Sequence, residues 1–417
     1  MIKVAEFMKR HGMDAERVDL AEYTRLFADA MREGLKAERD EVPMLPAYIM
    51  SSGRIPDGTA AVIDAGGTNF RAASVSFKGG TATVGGLKST PMPGSQGAVT
   101  WKELISHAAD CVAPYVKDGG RVGFCFSYPV EITPERDGVI LSLTKQLDVK
   151  GAVGQHLGAS LSEELKRRGI NAGKITVLND TAAALLAGKA SSAQRYDGYI
   201  GLIAGTGCNT CCELPIGEIT KLGIPGREKM LVTLESGSFS GFPRGDADIA
   251  MDADLPDTGK SLAEKMTSGR YLGNICMYTL RLAADEGIFS PAASEMIGRM
   301  TDVATPTIDK WGSGRFPKGL TSEDKVNLVY IINEIIERAA RCMTCMLCGI
   351  MEITGAGQNV PACIAVDGSL FTRGRLLRPE LERLMDISVC EIMGRDYRFV
   401  TMDNMSVIGT AAAALKN

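Results

Sequence analysis

The stretch VIDAGGTNFRAASVSF, Val62 to Phe77, sets an aspartate and two glycines between two runs of apolar and small residues. Read locally it is a β-hairpin: Gly66-Gly67 supplies the positive φ angles of a tight turn, and Thr68-Asn69 completes a polar loop. Read chemically, a glycine turn leaves backbone N–H groups uncovered for a phosphate, and Asp64 at the strand end can hold a metal through water. The stretch by itself reads as an ordinary hairpin. The rest of the chain favours the chemical reading.

The 417 residues are 45% hydrophobic and 23% charged, which predicts two or three folded domains with ample core. A net charge of −4 offers no overall attraction to nucleic acid or to an anionic membrane. No apolar run approaches the ~20 residues that span a bilayer. The segment Met1 to Leu20 reads as one amphipathic helix of mixed charge, without the apolar centre of a signal peptide. The expectation is a cytoplasmic protein with neither nucleic-acid nor membrane partners. Of eleven cysteines, Cys342, Cys345 and Cys348 fall on one side of a helix running from about Val326. Cys208, Cys211 and Cys212 lie in a strand-like run, and His11, His107 and His156 are far from both groups. Free, mostly buried thiols fit this distribution better than a metal site, which needs ligands converging from separate segments.

Helical sequence occupies much of residues 1–57, ending in a loop, EVPMLPAYIMSSGRIPDGT, whose prolines and glycines predict no regular element. Strands AAVIDAGG, FRAASVSF and TATVGGLKST follow, then a helix over about 100–116 and the strand RVGFCFSYP. The helix GASLSEELKRRG, the strand KITVLND and the helix TAAALLAGKA come next, and YIGLIAGTGCNTCCELP forms a second strand–turn–strand unit. Alternating strands and helices predict an α/β fold. Ile63 to Asn69 and Ile203 to Asn209 carry apolar strand, glycine, threonine and asparagine in nearly the same order, which suggests a duplicated core.

Three glycine turns, DAGGTN, AGTGCN and VDGSLF (Val366 to Phe371), each follow an apolar strand, as phosphate-binding turns must. None has the spacing of a Walker loop or of a dinucleotide fingerprint. Together they describe a nucleotide clamped between two domains. Asn179-Asp180 ends a strand directly before a helix. Asp180 reads either as a helix N-cap or as a carboxylate at the ligand-binding edge of a parallel sheet. With no histidine in a candidate site, it is the best-placed proton acceptor.

Taken in order, MLPAYI, IDAGGTNFR, GFCFSYPVE, LSLTKQLDVKGAVGQHL, VLNDTAAALLAG, IGLIAGTGCNTCCEL, LESGSF, AEKMTSGRYLGNI and VDGSLF resemble the hexokinase family, which includes glucokinase and the eukaryotic-type hexokinases. The resemblance spans nearly the whole chain. It implies two actin-like (ribonuclease H-like) α/β domains flanking a central cleft. By that resemblance Ser127, Thr144, Lys145, Asn179, Asp180, Asn209, Glu235 and Glu264 bind a hexose, with Asp180 and Lys145 catalytic. Hydroxyl-rich ligands call for such amides, carboxylates and hydroxyls. Asp64, Gly66, Gly67, Thr68, Asn69 and Arg71 match the first phosphate turn, Gly205, Thr206 and Gly207 the second, and Gly368 and Ser369 the adenosine segment. Asp64 and Asp180 would hold Mg2+ through water, and Arg71, an arginine leaving a strand, reads as either near the transferring group or solvated. The implied reaction is transfer of the γ-phosphoryl of MgATP to the 6-hydroxyl of glucose, the first step of glycolysis.

Two segments depart from the family pattern. Where a Gly-Ser-Gly-x-Gly-Ala-Ala turn is usual, this chain has Met405-Ser406-Val407-Ile408-Gly409-Thr410-Ala411, and two bulky side chains resist positive φ. After VDGSLF, the run TRGRLLRP lacks the usual Lys-x-His-Pro. Both lie where adenosine is expected, so nucleotide preference is the open part. The expected smaller domain covers 58–180, with about 405–417 folding back onto it, and the larger covers 1–57 and 181–404. Kinases of other hexoses and a non-catalytic hexose sensor are the competing readings. Repressor-linked bacterial sugar kinases are disfavoured because their zinc-binding Cys/His segment is absent. A monomer and a homodimer both remain open.

Overall fold

Alternating small and apolar side chains draw Gly58–Ala65 and Asn69–Lys78 into an antiparallel pair in the computed structural model, which describes residues 2–143, 147–191 and 194–416. Thr81–Pro91 extends this hairpin, while Gly120–Phe126 and then Ala172–Leu178 add in parallel on the other side, giving a five-stranded sheet. The second half repeats the pattern. Tyr199–Ala204 pairs antiparallel with Cys208–Pro215 and the latter with Lys229–Thr233, while Ala362–Asp367 and Tyr397–Val400 add in parallel. The echo between the two glycine turns is therefore an echo of whole sheets.

The second sheet has a sixth strand, Leu45–Met50, in the segment expected to be irregular. It lies at the sheet edge against Lys229–Thr233, where the missing N–H of Pro46 costs little. Its register shifts between Pro46 and Met50, with Tyr48 at φ 50°. The N-terminal helix is also shorter than expected. It runs Ile2–Arg10 and stops at Gly12, φ 62°, before a 3-10 turn and a second helix, Leu20–Lys36, whose N-cap Asp19 accepts from Glu22 N–H.

The largest core surrounds the 33-residue helix Ser322–Thr354, which begins on a capping box between Thr321 and Asp324. Cys342, Cys345 and Cys348 are buried along it, and no disulfide joins cysteines among the described residues. No helix among the described residues is long and apolar enough to cross a membrane. Between the two sheets lie the helices Asp180–Ser191 and Met405–Leu415, whose alanine-rich faces share a core with Val62, Ala73, Leu178, Cys211 and Leu231. Their contact is so close that a Cβ on Gly409 would stand 1.7 Å from the Ala183 carbonyl oxygen.

Candidate active site

Three cavities adjoin along the cleft between the sheets. The smallest, about 90 Å³, is lined by Ser127, Asn179, Asp180, Asn209, Glu235 and Glu264 among others. The next, about 500 Å³, is walled by Asp64, Gly66, Gly67, Thr68, Asn69, Arg71, Gly205, Thr206, Gly207, Gly368 and Ser369. The third, about 780 Å³, shares Gly67, Thr68, Gly205, Thr206, Ser369 and Arg373 with the second and continues to Met251, Leu255 and Leu377. Asp180 and Ser127 line both the first and the second. Thr144 and Lys145 lie outside the described residues.

The first glycine turn works differently from the sequence expectation. Neither Gly66 nor Gly67 has a positive φ. The turn closes through Gly66 N–H donating to Asn69 O at 3.0 Å, and a Cβ on Gly66 would come within 3.3 Å of that oxygen. The missing side chain matters here, not the left-handed conformation. The buried Tyr128 hydroxyl lies 3.3 and 3.4 Å from the Gly66 and Gly67 carbonyl oxygens, tying this turn to the FSYP segment.

Asp64 stands directly across the hairpin from Arg71, inside the strand pair, and the two form an ion pair at 2.6 Å. Arg71 is thus neither leaving a strand nor merely solvated. Ser406, at the start of the last helix, donates to Asp64 Oδ2 at 2.9 Å and accepts from Arg71 at 3.2 Å.

In the second turn Gly205 N–H donates to Gly207 O at 3.0 Å. The turn is braced from outside: Gly269 N–H donates to Gly205 O at 2.8 Å and Arg270 N–H to Thr206 O at 3.3 Å. At the third turn Gly368 holds φ 121°, and a Cβ there would strike the Ala204 carbonyl oxygen at 2.4 Å. Only glycine lets this turn pack on the second. Beside it Asp367 accepts from Gly368 N–H at 2.7 Å. Burial pushes its pKa up against that bond, with Arg71 lowering it and Asp64 and Asp180 adding repulsion.

At the small cavity the second hairpin is gripped by two carboxylates. Cys208 N–H donates to Glu264 Oε2 at 3.1 Å, and Asn209 Nδ2 donates to Glu235 Oε1 at 3.0 Å. The side-chain Oδ1 of Asn209 in turn accepts from Thr210 and Ser236 N–H at 2.7 and 3.1 Å. Glu235 pays for its aim with a left-handed backbone, φ 52°. Across the cavity Asn179, not Asp180, caps the helix: its Oδ1 accepts from Thr181 N–H at 3.0 Å and from the Thr181 hydroxyl at 2.7 Å. The cap reading of Asp180 is therefore set aside, because its neighbour already does that work.

Hexokinase family profiles match residues 3–190 and 199–416. The chain belongs to the hexokinase family. Hexokinase-1 of Oryza sativa subsp. japonica is 29% identical over 94% of this chain and 85% of its own length. Hexokinase-1 of Schizosaccharomyces pombe is 26% identical over 93% and 85%. Among solved structures, a Schistosoma mansoni hexokinase complexed with glucose superposes with TM-score 0.82 at 20% identity, covering 99% of this chain and 100% of that one. A ROK family glucokinase from Streptomyces griseus, in complex with glucose and AMPPNP, gives 0.53 at 15%, covering 86% and 100%. These likenesses show the fold: two actin-like α/β domains around a cleft. As a hexokinase, the chain is a phosphotransferase acting on hexose.

The C-terminal departure from the hexokinase pattern has a structural resolution. Met405 and Val407 are helical and buried, and the positive φ falls on Asn404 instead, φ 56°. Asparagine tolerates that region better than methionine or valine does. Ser406 is thereby delivered to Asp64 although the flanking glycines are gone. Ser406, Tyr128, Asp367 and Arg373 are the cavity residues that sequence reasoning missed. Tyr128 and Asp367 each adjoin a residue that was singled out, and Ser406 sits at the family's serine position within the altered turn. Arg373 lies in the departing run TRGRLLRP, which the sequence marks as unusual without pointing to this side chain.

Proposed function

We propose that this hexokinase transfers the γ-phosphoryl of ATP to the 6-hydroxyl of glucose, and so performs the first step of glycolysis. The observation that carries this is the position of Asp180 at the junction of the small polar cavity and the phosphate cavity. A base must reach the acceptor hydroxyl while facing the group that arrives on it. Asp180 accepts the hydroxyl proton. Ser127, Asn179, Asn209, Glu235 and Glu264, with Thr144 and Lys145 by family resemblance, hold the sugar through paired donors and acceptors. Lys145 is assigned to the sugar and the transferring group.

The phosphates lie along Gly66, Gly67, Thr68 and Asn69 on one side and Gly205, Thr206 and Gly207 on the other, where backbone N–H groups can be approached. Gly368 and Ser369 flank the nucleoside. The carboxylates of Asp64 and Asp180 line one cavity and are hard oxygen donors suited to Mg2+. They would hold it through water, with Arg71 and Ser406 fixing Asp64. Held there, the ion would supply charge neutralisation to the phosphates. In this reading the five-stranded sheet, 58–180 with 405–417, is the smaller lobe and the remainder the larger. Closing them excludes water that would otherwise take the phosphoryl.

ADP release measured by a coupled assay across glucose, fructose, mannose and glucosamine tests the proposal. Turnover highest with glucose is expected. Glucose binding without turnover on any sugar would replace the kinase reading with a sensor.

A further inference from the structure

Among the described residues, carboxylates outnumber cations in the phosphate cavity. Three carboxylates line it, Asp64, Asp180 and Asp367, and two described cations, Arg71 and Arg373. Arg71 is already ion-paired with Asp64 at 2.6 Å. Arg373 makes no ion pair among the described residues, although it lines both the phosphate cavity and the larger nucleoside cavity. Among the described residues, Arg373 is thus the cation of this cavity that no carboxylate already holds.

The frame that carries Arg373 is fixed on both sides. Its backbone N–H donates to Ser369 O at 3.0 Å, and Gly374 N–H donates to the same oxygen at 3.2 Å. The Thr372 hydroxyl donates to Gly368 O at 2.9 Å, so the short helix is tied to the third glycine turn. Beyond it, Asp309 Oδ1 accepts from Arg375 N–H at 2.8 Å and from Leu376 N–H at 3.1 Å. A side chain with no ion pair among the described residues, carried on an anchored backbone, leaves its donors for a ligand. The other arginine of the nucleoside cavity, Arg270, lines only that cavity and stacks on Tyr271, 5.4 Å from its ring.

We infer that Arg373 binds the polyphosphate of the phosphoryl donor at the junction between its phosphates and its nucleoside, so that donor affinity comes from a phosphate contact blind to the base. This rests on the kinase reading of the site. The planar guanidinium suits two phosphate oxygens at once. The segment that departs from the hexokinase pattern, TRGRLLRP, is the one that carries this cation.

The experiment compares wild type with Arg373→Ala, Arg373→Lys and the control Arg375→Ala, which removes an equal charge outside the cavity. Steady-state kcat/KM is measured with ATP and with GTP, and inorganic tripolyphosphate is titrated with magnesium by calorimetry. Arg373→Ala should lower kcat/KM about tenfold or more, by the same factor for both nucleotides. It should weaken tripolyphosphate equally, with Arg373→Lys intermediate and Arg375→Ala near wild type. The side chain is exposed, so the substitution leaves folding intact, checked by melting temperature. Loss confined to one nucleotide, or tripolyphosphate binding unchanged by Arg373→Ala, overturns the inference. If no sugar is phosphorylated, the kinase reading fails by itself, and the tripolyphosphate titration still decides Arg373.

Discussion

Asn209 donates from Nδ2 to Glu235 Oε1 at 3.0 Å, and its side-chain Oδ1 accepts the N–H of Ser236 at 3.1 Å. One amide thus fixes both the carboxylate and the left-handed turn that presents it. Asn209→Ala removes both bonds at once. Hydrogen bonds to charged groups contribute ~1.5–3 kcal/mol, so glucose affinity should fall at least about tenfold. Calorimetry with glucose checks this, and affinity within twofold of wild type would detach the pair from sugar binding.

Asp180 and Asn179 are neighbours with separable duties. Asp180→Asn retains size but accepts no proton, so turnover should drop by ~10²–10⁴ while the melting temperature holds. Asn179→Ala should do the reverse on stability, costing about 1 kcal/mol through the lost cap. The two variants are compared by thermal melts and by turnover at saturating glucose. An Asp180→Asn enzyme with near-normal turnover would leave the mechanism without its base.

Glucose should draw the lobes together, because Ser127 and Asn179 come from one sheet's side of the cleft and Glu235 and Glu264 from the other. Small-angle scattering with saturating glucose should give a smaller radius of gyration than without it. Superimposable profiles would count against closure.

Asp324 gives a pH-dependent marker far from the chemistry. Burial would raise its pKa, but hydrogen bonds from Ser290 and Thr321 outweigh that and bring it down to about 2 from 3.8. A carboxyl depressed in the folded state stabilises it above the ordinary value and loses that contribution as pH falls through the folded one. The contribution is about 2 kcal/mol at neutral pH. Denaturation of wild type and Asp324→Asn should therefore differ by about that much at pH 7, and the gap should close between pH 4 and pH 2. A gap independent of pH would assign the effect to packing.

Much of the site was legible in the sequence because its residues sit at strand ends beside glycine, aspartate and asparagine, where local pattern and site position coincide. Asp64, Asn179, Asp180 and the three turns are of this kind. What escaped was set by distance or by sheet context. Leu45–Met50 contains a proline that predicts a break, and only its edge position makes it a strand. Ser406 reaches Asp64 across 342 positions of chain, a pairing no local window contains. The role of Gly66 was misread because steric room and left-handed backbone both call for glycine, and sequence does not separate them.

The helix Met405–Leu415 covers strands made long before it on the ribosome. Val62, Ala73, Val75 and Cys125 share a core with this helix, and Asp64 takes its Ser406 hydroxyl from the helix's first turn. The two family profiles divide the chain near residue 195, yet the physical modules do not divide there: the N-terminal half is a sheet without its lid. Asp64, one residue before the first glycine turn's Ala65-Gly66, is therefore fixed by a side chain from the chain's last helix.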